Sequence, residues 1–270
     1  LGNITVIASD KTGTITENKM KVEEIYCHGK IWNTGDFSVL QNQEKGIALL
    51  EVAKNCNDAE LPHIGDPTEI GLLQVAEDMG ATAYKRIGEI PFSSEKKWMS
   101  TTHHVVRKNT NQYSGEHAEI DSQKKREEKN DSFETIEFLK GAPEAIAVFC
   151  HPSKKKEILE TAEKMAKKGL RTIAVAERKN GEKNATFLGI FGLQDPPRES
   201  VKISLQEAKN AGIQTVMITG DHKITAEAIG KQIGLEGKAL EGKEIENMSQ
   251  TELGKMVKTT FIFARVTPRT

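Results

Sequence analysis

Apolar positions fall into blocks of two periods, and the blocks change character near residue 188. Residues 4–8 alternate and are rich in β-branched side chains before meeting Ser9-Asp10-Lys11-Thr12-Gly13-Thr14. This predicts a buried strand ending in a tight polar loop. Residues 21–37 read as short strands broken by Gly29 and Gly35, and residues 46–55 place Ile47, Leu50 and Lys54 at helical spacing. Asp66, Pro67 and Glu69 form a helix start, a carboxylate cap with proline in the first turn, for a helix running to Met79 and stopping at Gly80. Residues 109–132 are polar and of mixed charge, predicting a solvated, mobile insertion between two strands. Beyond them come a strand at 135–139, a turn at Gly141-Ala142-Pro143 and a helix capped by Ser153 with Ile158, Leu159, Ala162 and Met165 as its stripe. Gly169 ends that helix, and residues 170–176 read as a strand.

From residue 188 onward, a strand at 188–193, a helix at 198–211, a strand at 213–218, a helix at 223–233 and a strand at 260–266 alternate regularly. That is βαβ text and implies a parallel sheet. The opening strand has no helix directly after it. The simplest topology makes it part of the C-terminal sheet, with about 170 residues inserted behind it. No repeat recurs at a fixed period.

Composition narrows the classes. The 270 residues carry 38 Lys+Arg against 39 Asp+Glu, a net charge of -1, which argues against a nucleic-acid partner bound through a global basic field. No stretch approaches the ~18–20 consecutive apolar residues of a bilayer-spanning helix. Cys27, Cys56 and Cys150 are widely spaced and form no CxxC pair, which predicts buried thiols in a reducing compartment. The seven histidines show no HxxxH or HExxH spacing and predict no metal centre. The chain opens at Leu1 inside a strand-like segment and stops soon after another, so both ends are expected to be cuts in a longer protein.

Asp10 stands at the carboxyl end of its strand, where open α/β sheets place their ligand sites. A carboxylate followed by a glycine turn with free amides suits attack on a phosphoryl group, a reaction that needs mainly positioning and charge neutralisation. A β-turn with a capping aspartate is the plainer use of Asp-x-Thr-Gly alone.

The longer string Asp10-Lys11-Thr12-Gly13-Thr14-Ile15-Thr16 matches the phosphorylation signature of P-type ATPases, and the chain resembles that family. The resemblance implies that Asp10 is the phosphorylated carboxylate, with Lys11, Thr12 and Thr14 in its loop. In the wider haloacid dehalogenase group an acid/base carboxylate usually lies two positions after the nucleophile, and Thr12 stands there instead. An aspartyl-phosphate without that neighbour should hydrolyse more slowly, as suits a transport intermediate.

The resemblance recurs in order along the chain. Cys56-Asn57-Asp58-Ala59 and Gly65-Asp66-Pro67-Thr68-Glu69 look like the helix-start region of the nucleotide-binding domain of type II cation pumps, where Glu69 matches an acid facing the adenine amino group. Glu69 also sits where a carboxylate complements the helix dipole, and both uses are compatible. The segment from Pro91 to Met99 is similar to the adenine-stacking segment, with Phe92 as the stacking face and Lys97 near the nucleotide; Ser94 stands where some pumps carry an arginine. On its own, Phe92 reads as a core residue. Lys140-Gly141-Ala142-Pro143-Glu144 is a further signature, an ammonium beside the nucleotide and a glycine that allows close backbone approach, though alone it is a Gly-x-Pro turn with an incidental lysine. Arg171 matches a phosphate-contacting arginine, and without that context it is a surface arginine at a strand start.

Asp195-Pro196-Pro197-Arg198 looks like the family's hinge and ribose or phosphate contact. Thr219 and the Gly220 amide resemble its second phosphate-binding element, while Asp221 reads both as a site residue and as the cap of the next helix. Arg265, in Ala264-Arg265-Val266-Thr267-Pro268, matches a residue near the nucleotide. The match stops before the family's phosphoryl-neutralising lysine and Mg²⁺-binding loop. Of the family's Mg²⁺ ligands only Asp10 and the Thr12 carbonyl are present, too few for a dedicated site.

The resemblance implies an α/β fold: a Rossmann-like, haloacid-dehalogenase-type phosphorylation domain (residues 1–20 and 190–270), C-terminally incomplete, interrupted by an α+β nucleotide-binding domain (residues 21–189) with an antiparallel sheet flanked by helices. It implies ATP and Mg²⁺ as cofactors, and membrane helices and an actuator domain elsewhere in the same protein. The chain would be the cytosolic part of an integral membrane cation pump, and the cation would be met only by the membrane helices. On its own it is expected to bind ATP without turnover. Two other readings stay open, a haloacid-dehalogenase-type phosphatase and a non-catalytic nucleotide-binding module.

Overall fold

The computed structural model describes residues 4–106, 133–235 and 237–266. The expected insertion at 109–132, and Thr267 and Pro268, lie outside the described residues. In chain order the elements are β1 (Val6–Asp10), β2 (Lys21–Cys27), β3 (Lys30–Asn33), α1 (Glu44–Asn55), α2 (Pro67–Asp78), β4 (Arg86–Ile90), β5 (Trp98–Val106) and β6 (Phe133–Gly141). They continue with α3 (Pro143–Phe149), α4 (Lys155–Ala166), β7 (Arg171–Lys179), β8 (Thr186–Gln194), α5 (Glu199–Asn210), β9 (Gln214–Thr219) and α6 (Lys223–Ile233). Last come β10 (Lys238–Glu241), α7 (Gly242–Glu246), α8 (Gln250–Met256) and β11 (Thr260–Ala264). Among the described residues no helix is long and apolar enough to cross a membrane.

The strands form two sheets. One is parallel, in the order β1-β9-β11-β10, and joins the first strand of the chain to the last ones. Val6 lies opposite Gln214 and Asp10 opposite Ile218, so the expected long insertion behind β1 is real. The strand is not buried, however. Val6 is 51% and Ile7 41% exposed, because among the described residues β1 has β9 on one side and no strand on the other. Alternation of β-branched residues predicts a strand but not its place in the sheet.

The other sheet is antiparallel, in the order β3-β2-β8-β7-β6-β5-β4. The strand expected to open the alternating region is β8, which lies in this sheet between β2 and β7. Its near-continuous apolar run serves two cores. Phe191 and Leu193 pack into the core under α1 and α2, while Phe187 and Ile190 join the core under α3 and α4. A strand covered on both faces reads the same in either kind of sheet. A division at residue 189 cuts β8; the chain leaves the antiparallel sheet at Asp195-Pro196-Pro197.

Helix boundaries follow the local signals where those are chemical. Asp66 Oδ1 accepts from the Thr68 amide at 2.8 Å, Pro67 fills the first turn, and α2 gives way to Gly80 at φ +67°. Stripes are less faithful. Ile47 on α1 is 42% exposed, and the buried face carries Leu49, Leu50, Val52 and Ala53 instead. Ser153 does not cap α4. It lies in a short turn, Pro152–Lys154, with its amide donating to His151 Nδ1, and Leu159 faces outward while Thr161 is buried.

Cys27, Cys56 and Cys150 are free and buried, and burial pushes the Cys27 and Cys150 thiols up to about 11. His103 on β5 is 1% exposed, with Nε2 2.8 Å from Thr101 Oγ1. Burial, and then the charge of Arg86, pull its pKa below 6.5. A base whose folded pKa is depressed stabilises the fold fully above the unfolded pKa and loses that contribution as pH falls through the folded one. Unfolding free energy should therefore drop as pH is lowered from 7 through the region below 6.5, and His103→Gln should flatten that slope in urea titrations.

Candidate functional site

Asp10 ends β1 exposed, and the chain then turns through Lys11–Ile15 with Thr12 extended and Gly13 at φ +78°. A left-handed residue at this point is why a glycine is needed. The loop is stitched from below. Asp195, 8% exposed, accepts from Thr16 Oγ1 at 2.6 Å and from the Lys19 amide at 3.1 Å. Arg198 donates through Nη2 to the Gly13 carbonyl at 2.9 Å, and its amide donates to Ile15. Asp195 and Arg198, expected at the ribose or phosphate, thus hold the loop that presents Asp10. Thr12 and Thr14 stay exposed.

Lys11 is 5% exposed, and its Nζ lies 2.9 Å from Asp221 Oδ2. The carboxylate expected to cap α6 is taken by this ammonium, and His222 stands at the cap position without capping the helix through its side chain. A nearly buried charge left unpaired costs several kcal/mol, more than a cap contributes, so the ion pair wins. The pair ties together the loops at the carboxyl ends of neighbouring strands β1 and β9. Thr219 Oγ1 accepts from the Asp221 amide, and a Cβ at Gly220 would meet nothing within 4 Å, leaving this turn open. Arg265, at φ +50°, bonds through Nη2 to His222 Nε2, and its amide donates to the Asp221 carbonyl.

A second set gathers on the antiparallel sheet. Glu69, in the first turn of α2, accepts from Lys140 Nζ at 2.6 Å and from the Asp58 amide at 3.3 Å. Lys140 is 5% exposed, near the end of β6. Next to it a Cβ on Gly141 would stand 2.5 Å from the Lys97 carbonyl, so a side chain is excluded there. Phe92 is 57% exposed, not a core residue, and lines a cavity of about 200 Å³ with Glu69, Lys140, Gly141 and Arg171. Lys97 does not line that cavity. Its backbone is left-handed and its ammonium is drawn to Glu144 at 3.3 Å.

Three polar or sulfur-bearing residues of this cavity stand inside the quoted strings but carry no expected role. Met99, 2% exposed, lines it deep in the core, and Asp58 stands at its edge. Thr68 Oγ1 is buried without a hydrogen-bond partner and lines the same space. Its sequence signals are its places beside the Asp66-Pro67 cap and within the Gly65–Glu69 string. Burial raises the Asp66 carboxyl, but the hydrogen bond from the Thr68 amide and the charge of Arg171 hold it below the usual aspartate range.

A cleft of about 810 Å³ adjoins the cavity, and Asp66, Thr68 and Arg171 line both. Lys11, Thr12, Gly220, Asp221 and His222 line the cleft from the parallel-sheet side, and Ala142 and Glu144 from the other. Among the described residues no three His, Cys, Asp or Glu side chains gather as a metal site.

The haloacid dehalogenase-like hydrolase family matches residues 4–251. The chain is 37% identical over 289 aligned residues to calcium-transporting ATPase 1 of Bacillus cereus, covering 99% of this chain and 31% of that protein. It is 34% identical to a calcium-transporting ATPase of Bacillus subtilis, and 31% identical to the cation-transporting ATPase pma1 of Synechocystis, each over 99% of this chain and 33% of the relative. The chain thus spans about a third of the length of the curated relatives it matches. With a parallel sheet that presents Asp10 and a separate antiparallel sheet inserted behind it, the chain belongs to the haloacid dehalogenase-like hydrolases and groups among them with the cation-transporting P-type ATPases.

Proposed function

We propose that the chain binds ATP in the cavity of Phe92, Glu69 and Lys140 and accepts its γ-phosphoryl group on Asp10, as the cytosolic catalytic part of a cation pump. The observation that carries this reading is the wall of Asp66, Thr68 and Arg171 that the cavity shares with the cleft lined by Lys11, Thr12 and Gly220. The cavity suits an adenosine. It offers an exposed aromatic face at Phe92, an anchored carboxylate acceptor at Glu69 and an unpartnered hydroxyl at Thr68.

Arg171, in the wall shared by cavity and cleft, is placed to carry phosphate charge across it. An Asp10 carboxylate oxygen bonds to the γ-phosphorus as the bond to the β,γ-bridging oxygen breaks, and ADP leaves with that electron pair. Lys11 is held to Asp221, so its role is to fix the two loops against each other. The Asp10 side chain and the Thr12 carbonyl are the groups here that would meet Mg²⁺, which supplies charge neutralisation when bound with the nucleotide. Thr12 offers no carboxylate to activate water, which favours a lasting aspartyl-phosphate over a phosphatase cycle. The transported cation is proposed from the relatives named for calcium and for cations, and would be bound outside these residues.

Calorimetric titration with ATP tests the reading. Phe92→Ala should weaken binding by roughly 5- to 150-fold, the equivalent of the ~1–3 kcal/mol of one stacked base. Absence of ATP binding, or an unchanged affinity in the variant, would overturn it.

A further inference from the structure

We infer that Arg86 is a positioning residue for base recognition, a strut that aims Glu69 at the nucleotide base without touching the nucleotide itself. The inference deepens the proposed ATP site and rests on that reading. Arg86 opens β4, at a break in the ladder. It pairs with His103 while Gly88 pairs with Thr102, so Ile87 is an extra residue on this strand. Such a bulge re-aims the side chain beside it. The guanidinium here reaches the C-terminal end of α1.

Four contacts hold it there. Nη2 donates to the Asn57 carbonyl at 2.6 Å and to the Asn55 carbonyl at 3.3 Å. Nη1 donates to Asp58 Oδ1 at 2.7 Å and Glu89 Oε2 at 2.9 Å. The last carbonyls of a helix lack intrahelical partners, and a cation at that end also complements the dipole. The planar fork of arginine can serve two carbonyls and two carboxylates at once, which an ammonium cannot.

The turn fixed in this way is the one that orients Glu69. Asn57 Nδ2 donates to the Glu69 carbonyl at 2.9 Å and to Ala53 at 3.0 Å, while its Oδ1 accepts from the Ala59 amide. The Asp58 amide donates to Glu69 Oε2, and Lys140 holds Oε1. Each carboxylate oxygen retains a further lone pair for a donor on the base. A purine with an exocyclic amino group supplies that donor; hypoxanthine presents a carbonyl at the same position and is repelled. Arg86 therefore acts on the choice between bases through the Asn57-Asp58 backbone.

The test compares binding of ATP and ITP by this chain. The intact chain should prefer ATP, and Arg86→Gln should weaken ATP binding about tenfold, near the value of one charged hydrogen bond. Its ITP affinity should move far less, so the ratio collapses. Arg86→Lys and Asp58→Ala, which keep part of the strut, should give intermediate ratios, and they decide the matter if Arg86→Gln does not fold. A ratio unchanged in these variants, or equal losses for both nucleotides, would mean that Arg86 is merely structural and would sink the inference. An intact chain that binds ATP and ITP equally overturns it as well while leaving the ATP site standing. Failure to bind either nucleotide overturns the proposed function and this inference together.

Discussion

Replacing Lys140 by methionine should remove ATP binding and destabilise the fold at the same time. Lys140 is 6% and Glu69 18% exposed at the side chain, and their atoms meet at 2.6 Å. Removing the ammonium leaves a mostly buried carboxylate with the Asp58 amide as its remaining partner among the described residues. Breaking one side of such a pair costs about 3–5 kcal/mol, and the remaining exposure of Glu69 puts this case at the lower end. Replacing both partners is a different matter, because no uncompensated charge remains. The double variant Lys140→Met with Glu69→Gln should thus recover most of the lost stability in urea unfolding while still failing to bind ATP. A double variant as unstable as the single one would show that the pair is not what holds this part of the fold.

The second large effect is expected at Gly189, in the middle of β8. A Cβ there would lie 2.1 Å from the Tyr26 carbonyl and 2.4 Å from Leu49 Cδ1. The carbonyl belongs to the neighbouring strand β2 and cannot give way without breaking the ladder. Overpacking a core costs about 1–3 kcal/mol where side chains can shift, so a clash with backbone should exceed that range. Gly189→Val should therefore unfold the antiparallel half of the chain, read as loss of its cooperative transition. Gly35→Ala is the matched control, since its Cβ would meet nothing within 4 Å, and it should stay within about 0.5 kcal/mol of the parent.

How much of this was legible depended on what kind of signal each residue carried. The Asp66-Pro67 start of α2 was readable because capping is local chemistry, complete within three residues. The membership of β1 in the C-terminal sheet was readable because an α/β alternation leaves few allowed topologies. The assignment of β8 was not, since a strand buried on both faces has no period to interpret. Asp221 shows the same limit at the level of one side chain. Its place before a helix predicts a cap, but the buried Lys11 that claims it lies 210 positions earlier in the chain.

The candidate site divides in the same way. Glu69, Phe92, Lys140, Gly141 and Arg171 stand in motifs that could be picked out one by one, and the fold brings them to one cavity. Thr68 stands in the Gly65–Glu69 string without a sign of its role there, and Arg86 stands in no quoted string. The orphan state of the Thr68 hydroxyl exists only because α2 packs against the sheet, and the reach of Arg86 depends on a bulge and on the end of α1.

What the sequence determined by itself was the chemistry on offer: a carboxylate in a glycine turn at a strand end, two alternating regimes of secondary structure, and several short strings in a fixed order. These are properties of neighbours within a few residues, where propensity, capping and turn geometry act. Only the tertiary structure decided which charges neutralise one another and which remain free for a ligand. Lys11 went to Asp221, Asp195 to Thr16 and Lys97 to Glu144, while Asp10 and Phe92 stayed exposed. The reason is energetic. A buried charge such as Lys11 or Asp195 costs several kcal/mol unless it is paired, so it takes a partner wherever packing brings one, and sequence separation does not enter that requirement.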